Sequence, residues 1–149
     1  MPKTFYYEKN EAFTELAEGS DSIFESNTRL LVFAASLGFA RNRRAKAHND
    51  NGEIRWNYIG QNQRLRVITA SLAYAAHGDP EVILDQDLQI ETLQTYGAGG
   101  ARILKKEVVD EPGDPLDNLI TLLQQQRDQD QMEEQVGILE DIENEISNL

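Results

Sequence analysis

The chain has 149 residues, enough for one domain with a substantial core, and its 40% hydrophobic content excludes wholesale disorder. It contains no cysteine, which excludes disulfides, thiolate nucleophiles, iron–sulfur clusters and cysteine-ligated zinc. The net charge of -12 is unevenly distributed, because residues 1–106 carry 13 acidic and 13 basic side chains whereas residues 107–149 carry 13 acidic side chains and one basic residue, Arg127. The chain therefore has a basic middle and an acidic end.

The first residues predict a short strand followed by a helix. The aromatic run Phe5–Tyr7 favours a strand. Glu8–Glu18 favours a helix that ends at Gly19, with Phe13, Leu16 and Ala17 facing inward.

A second helix is predicted within the stretch IFESNTRLLVFAASLGFARNRR, Ile23–Arg44. Its apolar residues recur at helical spacing, which indicates a helix that faces a core. Asn27 or Thr28 is the expected N-cap, and Gly38 is expected to end the helix in the left-handed conformation.

The segment EIRWNYIG, Glu53–Gly60, alternates in the manner of a half-buried strand. In this register Ile54, Trp56 and Tyr58 share one face. The expected partner is either Phe5–Tyr7 or the residues just before His48.

The following residues predict further helices. Gln61–Ala76 favours a helix whose apolar stripe includes Leu65, Ile68 and Leu72. Pro80 begins a short helical turn, and Asp85 is the expected cap of a longer segment that reaches Tyr96.

Three glycines, Gly97, Gly99 and Gly100, are expected to break the chain before another short helix over Ala101–Val109. The Pro- and Gly-containing segment Glu111–Pro115 then predicts a linker. This linker divides the chain into a helical domain over residues 1–110 and an acidic amphipathic helical tail over residues 111–149.

The tail begins with an amphipathic helix that runs into QQQRDQDQ, a stretch without apolar side chains. Beyond it, apolar residues recur at gaps close to a heptad. We predict that this apolar seam binds a protein partner, and it consists of Met132, Val136, Leu139, Ile142 and Ile146. Acidic side chains border the seam and no basic residue follows Arg127, so pairing of two tails in a homo-oligomer is not expected. The seam could also fold back on the domain or complete its core.

Together these patterns predict a mainly α fold: a compact helical domain with a small β-strand or hairpin element, and an acidic C-terminal helical tail. The N-terminus shows no signal peptide, and no apolar stretch reaches the roughly 20 residues that a membrane helix needs. A cytoplasmic location is therefore expected.

Catalytic chemistry has little support in the sequence. The two histidines, His48 and His77, are widely separated and each lies beside a turn. No cofactor and no metal site is predicted, and we expect a protein that is not an enzyme. The alternative is a Mg²⁺-dependent nuclease, or a nuclease subunit, that uses the acid pairs Asp79 with Glu81 and Asp85 with Asp87. The lysine that usually follows such an acid by two positions is absent.

The strongest functional signal is the basic middle, where residues 41–66 contain seven basic and two acidic side chains. This composition favours contact with a polyanion such as the DNA backbone, with aromatic side chains nearby for stacking. The predicted nucleic-acid-binding residues are Arg41, Arg43, Arg44, Lys46, Arg55, Trp56, Arg64 and Arg66. The competing interpretation is that these arginines interact with a helix dipole or with the acidic tail.

Four stretches, IFESNTRLLVFAASLGFARNRR, GEIRWNYIG, ETLQTYGAGGARIL and DNLITLL, resemble in order and spacing the family called DNA phosphorothioation-associated protein 4. The resemblance covers Ala12 to Leu123, and the sequence departs from it at Ala45–His48 and in the acidic C-terminal extension. The family has no established catalytic residues. The resemblance implies an association with Dnd-type DNA sulfur-modification and restriction genes.

These observations lead to one leading hypothesis. The protein is a non-enzymatic accessory or regulatory subunit of a modification and restriction system for antiviral defence. Its expected partners are other subunits of the system and, through the basic segment, DNA, with no membrane involved.

Overall fold

The computed structural model describes residues 3–46 and 51–148, and these residues are mainly α-helical with a two-stranded antiparallel sheet. The fold class predicted from the sequence is confirmed. His48 and Leu149 lie outside the described residues. No helix in the described part of the chain is both long and apolar enough to cross a membrane.

The sheet joins β1 (Thr4–Tyr7) to β2 (Gly52–Arg55), with Phe5 opposite Ile54. Both of these side chains are buried. The first of the two expected pairings is thus confirmed, and the sheet closes one side of the helical core.

The strand predicted over Glu53–Gly60 is wrong beyond Arg55. The chain turns there and forms the short helix α3 (Asn57–Gly60). Within it Ile59 is fully buried whereas Tyr58 is 58% exposed, the reverse of the alternation expected for a strand.

The first helix is short and continues as a π-helical turn. Helix α1 spans Glu11–Phe13, the π-helical turn spans Thr14–Glu18, and the side chain of Asn10 caps the start. The inward residues predicted for this segment, Phe13, Leu16 and Ala17, are buried.

Helix α2 spans Asn27–Ala40 and lies in the centre of the fold. Its N-cap is Ser26, whose Oγ accepts a hydrogen bond from the backbone of Arg29, rather than Asn27 or Thr28. The prediction that Gly38 ends this helix is also wrong, because the helix continues past it.

Helix α4 spans Gln63–His77 and ends at Gly78, which has the left-handed conformation with φ 73°. A 3₁₀ helix over Pro80–Leu84 follows, as the sequence predicts. The apolar stripe of α4 differs from the predicted one, since Ile68 is 37% exposed and Thr69 is buried in its place.

Helix α5 spans Gln86–Leu104 and continues as a π-helical turn over Lys105–Val109. The side chain of Asp85 caps its start, as predicted. The expected break at the three glycines is wrong, and the helix passes straight through them.

These glycines lie where α5 crosses α2. A Cβ atom on Gly100 would overlap the backbone carbonyl of Ala34, and one on Gly38 would overlap the carbonyl of Tyr96. The two helices therefore approach closely enough for backbone to contact backbone. Close packing offsets the roughly 1 kcal/mol that a glycine costs inside a helix relative to alanine.

Helix α6 spans Pro115–Ser147 without interruption, and Asp114 caps it by accepting a hydrogen bond from the backbone N–H of Leu116. Leu119 and Leu122 are buried in the core cluster. The polar stretch QQQRDQDQ remains helical, so the tail is one continuous helix.

Candidate nucleic-acid interface

The loop after α2 is held in a defined position by backbone hydrogen bonds. Asn42 takes a left-handed conformation with φ 52°, which turns the chain away from the helix. The N–H of Arg43 donates to the carbonyl of Gly38 over 2.7 Å, and the N–H of Ala45 donates to the carbonyl of Thr95 over 3.0 Å. The arginine-rich loop therefore lies along α5.

This arrangement produces a hollow of 320 Å³ between the loop and the end of α5, which we call the basic hollow. Gly99 contributes to its lining, and a Cβ atom there would overlap the carbonyl of Arg43. Among the described residues, five cationic side chains and one acid, Glu107, line it. The cationic residues are Arg41, Arg43, Arg44, Arg102 and Lys106.

Arg41 is engaged within the protein. Its guanidinium forms an ion pair with Glu107, and its Nε donates to Oε1 of Gln126 over 3.1 Å. The Arg41 side chain is only 19% exposed. Arg41 therefore connects the end of α2 to the π-helical turn over Lys105–Val109 and to α6.

Arg102 is also engaged, through a two-bond contact with Glu8. The Arg102 Nε and Nη2 atoms lie 3.0 and 2.7 Å from the two carboxylate oxygens. The hydrogen bond to Glu8 raises the pKa of Arg102, so its positive charge is secure. Its Nη2 also donates to the carbonyl of Lys46 over 3.3 Å, which fastens the end of the loop to α5.

Three cations at the hollow are more accessible: Arg43, Arg44 and Lys106. Arg44 lies 5.9 Å from the ring centre of Tyr96 and 4.0 Å from Glu91. Arg43 and Lys106 are exposed, and neither forms an ion pair with any residue that the structure describes. Their charges are directed to solvent rather than used to hold the fold together.

The other residues of the predicted interface lie elsewhere. Arg55 is exposed on β2 and Arg64 is exposed on α4. Trp56 is partly buried against the core, and together with Arg66 it lines a separate groove beside α4. Lys46 is exposed next to the hollow. Of the predicted set, only the residues of the loop after α2 thus lie at or beside the hollow.

Sequence reasoning missed Arg102 and Lys106. Both lie on α5 or its π-helical continuation, four residues apart, which is the spacing of neighbours on one helical face. The short helix predicted over Ala101–Val109 already places them beside each other. Their approach to Arg43 depends on the crossing of α2 and α5, which no local pattern reveals.

The predicted seam on α6 is exposed along its length. Exposure is 66% at Met132, 47% at Val136, 64% at Leu139, 48% at Ile142 and 64% at Ile146. In the described part of the chain the seam therefore neither completes the core nor rests on the basic hollow.

Comparison with known protein families identifies the chain. The family model of DNA sulphur modification system-associated protein 4 matches residues 6–142 of the 149. The chain belongs to this family. Neither the curated proteins nor the solved structures compared with it include a match.

The match places the protein with a DNA sulphur modification system, as the resemblance implied. It extends past Leu123 to residue 142, so most of the acidic tail lies within the match. The basic hollow and the seam as far as Ile142 both lie within the match.

Three of the four acidic residues of the alternative nuclease hypothesis have structural partners in this DNA sulphur modification system-associated protein. Asp79 and Asp85 accept hydrogen bonds from the backbone of Glu81 and Leu88 and so cap the helices that follow. Asp87 forms an ion pair with Lys3. Among residues 3–46 and 51–148, no group of three or more acidic or histidine side chains is gathered in the manner of a metal site.

Proposed function

We propose that this protein is a non-enzymatic accessory subunit of a DNA phosphorothioation-linked modification and restriction system, and that it holds the DNA backbone at the basic hollow. Membership of the family supports the association with the system. The hollow supports the contact with DNA.

The proposal rests on one observation: five cationic side chains surround one hollow. Two of them, Arg43 and Lys106, form no ion pair with any residue that the structure describes. Arginine guanidinium groups and lysine ammonium groups are the usual ligands of phosphate oxygens. Ion pairs within the protein hold Arg41 and Arg102 in place and so fix the loop against α5. The more accessible cations, Arg43, Arg44 and Lys106, are attached to this fixed part of the backbone. The backbone positions of these cations are therefore fixed before a phosphate binds, and the entropy lost on binding is confined to their own side chains.

The overall negative charge does not conflict with this proposal. Acidic residues are concentrated beyond residue 106, whereas the hollow holds a local excess of positive charge. A phosphate group within a few ångströms responds to the local charges, because salt screens charges farther away than about 8–10 Å.

The accessory role also needs protein contacts. We propose that the apolar seam Met132, Val136, Leu139, Ile142 and Ile146 is a protein-docking face, and that other components of the system are partners of this protein. Large exposed apolar residues along one side of a helix are typical of a helix that docks in a groove.

The test is binding of a short duplex DNA, measured by fluorescence anisotropy over a series of salt concentrations. A variant with Arg43→Glu and Lys106→Glu should bind more weakly, and the magnitude of its salt slope should fall by about 0.9 for each phosphate that the variant no longer neutralises. The matched control carries Arg55→Glu and Arg64→Glu, which reverses the same number of exposed charges outside the hollow.

The control should keep most of the affinity and the salt slope of the unmodified protein. If the two double variants weaken binding equally, the positive charge acts as a diffuse surface and the hollow is not the site. If neither variant changes binding, the protein does not contact DNA through its basic middle.

A further inference from the structure

The far part of α6, residues 127–147, extends away from the core, and we call it the arm. The last buried side chain of α6 is Leu122, and the 25 residues from there to Ser147 rise by roughly 37 Å. At 100° per residue, the centre of the seam lies about 130° around the helix from Leu119 and Leu122. The face that packs on the core and the seam therefore point in different directions.

A second unpartnered apolar surface lies in a groove of 680 Å³ between α4 and the 3₁₀ helix. We call it the α4 groove. Val67 and Tyr74 on α4 are 57% and 45% exposed, and Ile83 and Leu84 on the 3₁₀ helix are 50% and 91% exposed. Its volume is within the range of clefts that enclose apolar ligands.

The arm and the α4 groove carry opposite charges. Residues 128–147 contain eight acidic side chains and no basic one. Arg66 is the single charged residue among the described residues that line the groove, and α4 itself carries Arg64 and Arg66 but no acid.

The nearby acids of the 3₁₀ segment line a neighbouring hollow, which shares Leu84 and Gln86 with the α4 groove. Asp79 and Asp85 cap helices and Asp87 pairs with Lys3, while Glu81 is exposed. The α4 side is thus the basic wall of the groove, and it is the side that favours an acidic helix.

We propose that the arm of one copy of this protein docks its apolar seam in the α4 groove of a second copy. The inference rests on the proposed role of the seam as a protein-docking face and names the partner. The seam is exposed in its own chain, so the arm does not fill its own groove. A reciprocal exchange of arms forms a closed dimer with two identical contacts. Unlike pairing of two arms, it places acidic side chains near arginines.

The test is the mass of the full-length protein by analytical ultracentrifugation at micromolar concentration. Leu139→Glu places a charge in the seam, and Val67→Glu places one in the groove. Both residues are more than half exposed, so both variants should fold, which far-UV circular dichroism checks. The control is Ile120→Glu, on α6 but outside the seam and 44% exposed.

The unmodified protein and the control should have twice the mass of one chain, and each single variant should lose the dimer. An equal mixture of Leu139→Glu and Val67→Glu should regain it, because one intact arm then meets one intact groove. Retained binding of duplex DNA by both variants would show that the hollow functions independently of the exchange.

Three results would overturn the inference. A monomeric unmodified protein would leave other components of the system as the occupants of the seam. Loss of the dimer in Leu139→Glu but not in Val67→Glu would indicate pairing of two arms. A mixture that remains monomeric would show that the arm and the groove do not meet.

Discussion

The crossing of α2 and α5 and the arm of α6 are both helical and both contain glycine, but the glycines have opposite surroundings. At the crossing, a Cβ atom on Gly100 has no space because the backbone of α2 occupies it. In the arm, nothing lies within 4 Å of a Cβ atom on Gly137. The comparison shows that glycine in a helix marks close packing only where a second element is present.

The largest effect is expected at the crossing. Gly100→Ala should lower the free energy of unfolding by about 3 kcal/mol, since the added methyl group must displace the carbonyl of Ala34. This corresponds to a decrease in Tm of about 10 °C. Thermal denaturation followed by circular dichroism measures it, and an unchanged Tm would show that the two helices do not approach each other this closely.

The next largest effect is expected at Tyr7, a buried residue of β1, and it appears in the pH dependence of the free energy of unfolding. Burial, and then the nearby charge of Glu18, raises the pKa of Tyr7 from 10.0 to about 12. The unfolded chain releases this proton near pH 10 and the folded chain near pH 12, so the stabilising contribution is complete below pH 10 and is lost as the pH rises through 12. The loss approaches about 2.5 kcal/mol.

Urea denaturation at several pH values between 9 and about 12 checks this expectation. Tyr7→Phe should remove this part of the alkaline destabilisation, whereas Tyr58→Phe, at an exposed position, should not. Identical pH profiles for the two variants would mean that Tyr7 exchanges its proton as freely as a surface tyrosine.

A smaller effect of opposite sign is expected in the arm. Gly137→Ala should stabilise the local helix by about 0.8 kcal/mol, because it removes backbone entropy and meets no neighbour. The helical signal at 222 nm should rise while the Tm of the core stays constant. A decrease in helical signal would indicate that Gly137 packs closely against another surface.

The smallest effect on stability is expected from truncation after Gln126. The described side chains beyond this residue are exposed, and the hydrogen bond between Arg41 and Gln126 is kept. Measured at a concentration too low for the proposed dimer to form, the shortened protein should retain a cooperative melting transition with nearly the same Tm as the full chain. Loss of that transition would assign the arm to the core.

Sequence patterns predicted the features that depend on neighbouring residues. Asp85 caps the helix that begins directly after it, and the patterns that indicate β1 and β2 are each visible within four residues. The break predicted at the glycines of α5 is wrong for the same reason. The destabilising effect of glycine on a helix depends only on local sequence. The packing contact that compensates for it is made with Ala34, 66 residues before Gly100.

The candidate site was predictable only in part. The loop arginines Arg43 and Arg44 stand out as a basic run, and they do line the hollow. Arg102 and Lys106 join them only through the crossing, and Arg66 leaves the set because α4 carries it to another surface. Charge density along a sequence therefore indicates that basic residues are available, whereas the packing of helices decides which of them act together.

The most direct test of the basic hollow is a ¹H–¹⁵N NMR titration of the full-length protein with a short duplex DNA. We expect backbone signals of residues 41–46 and 99–107 to shift as DNA is added, and signals of α4 to stay in place. Shifts centred on Arg55, Arg64 and Arg66, with none around Arg43 and Lys106, would contradict the assignment of DNA contact to the hollow.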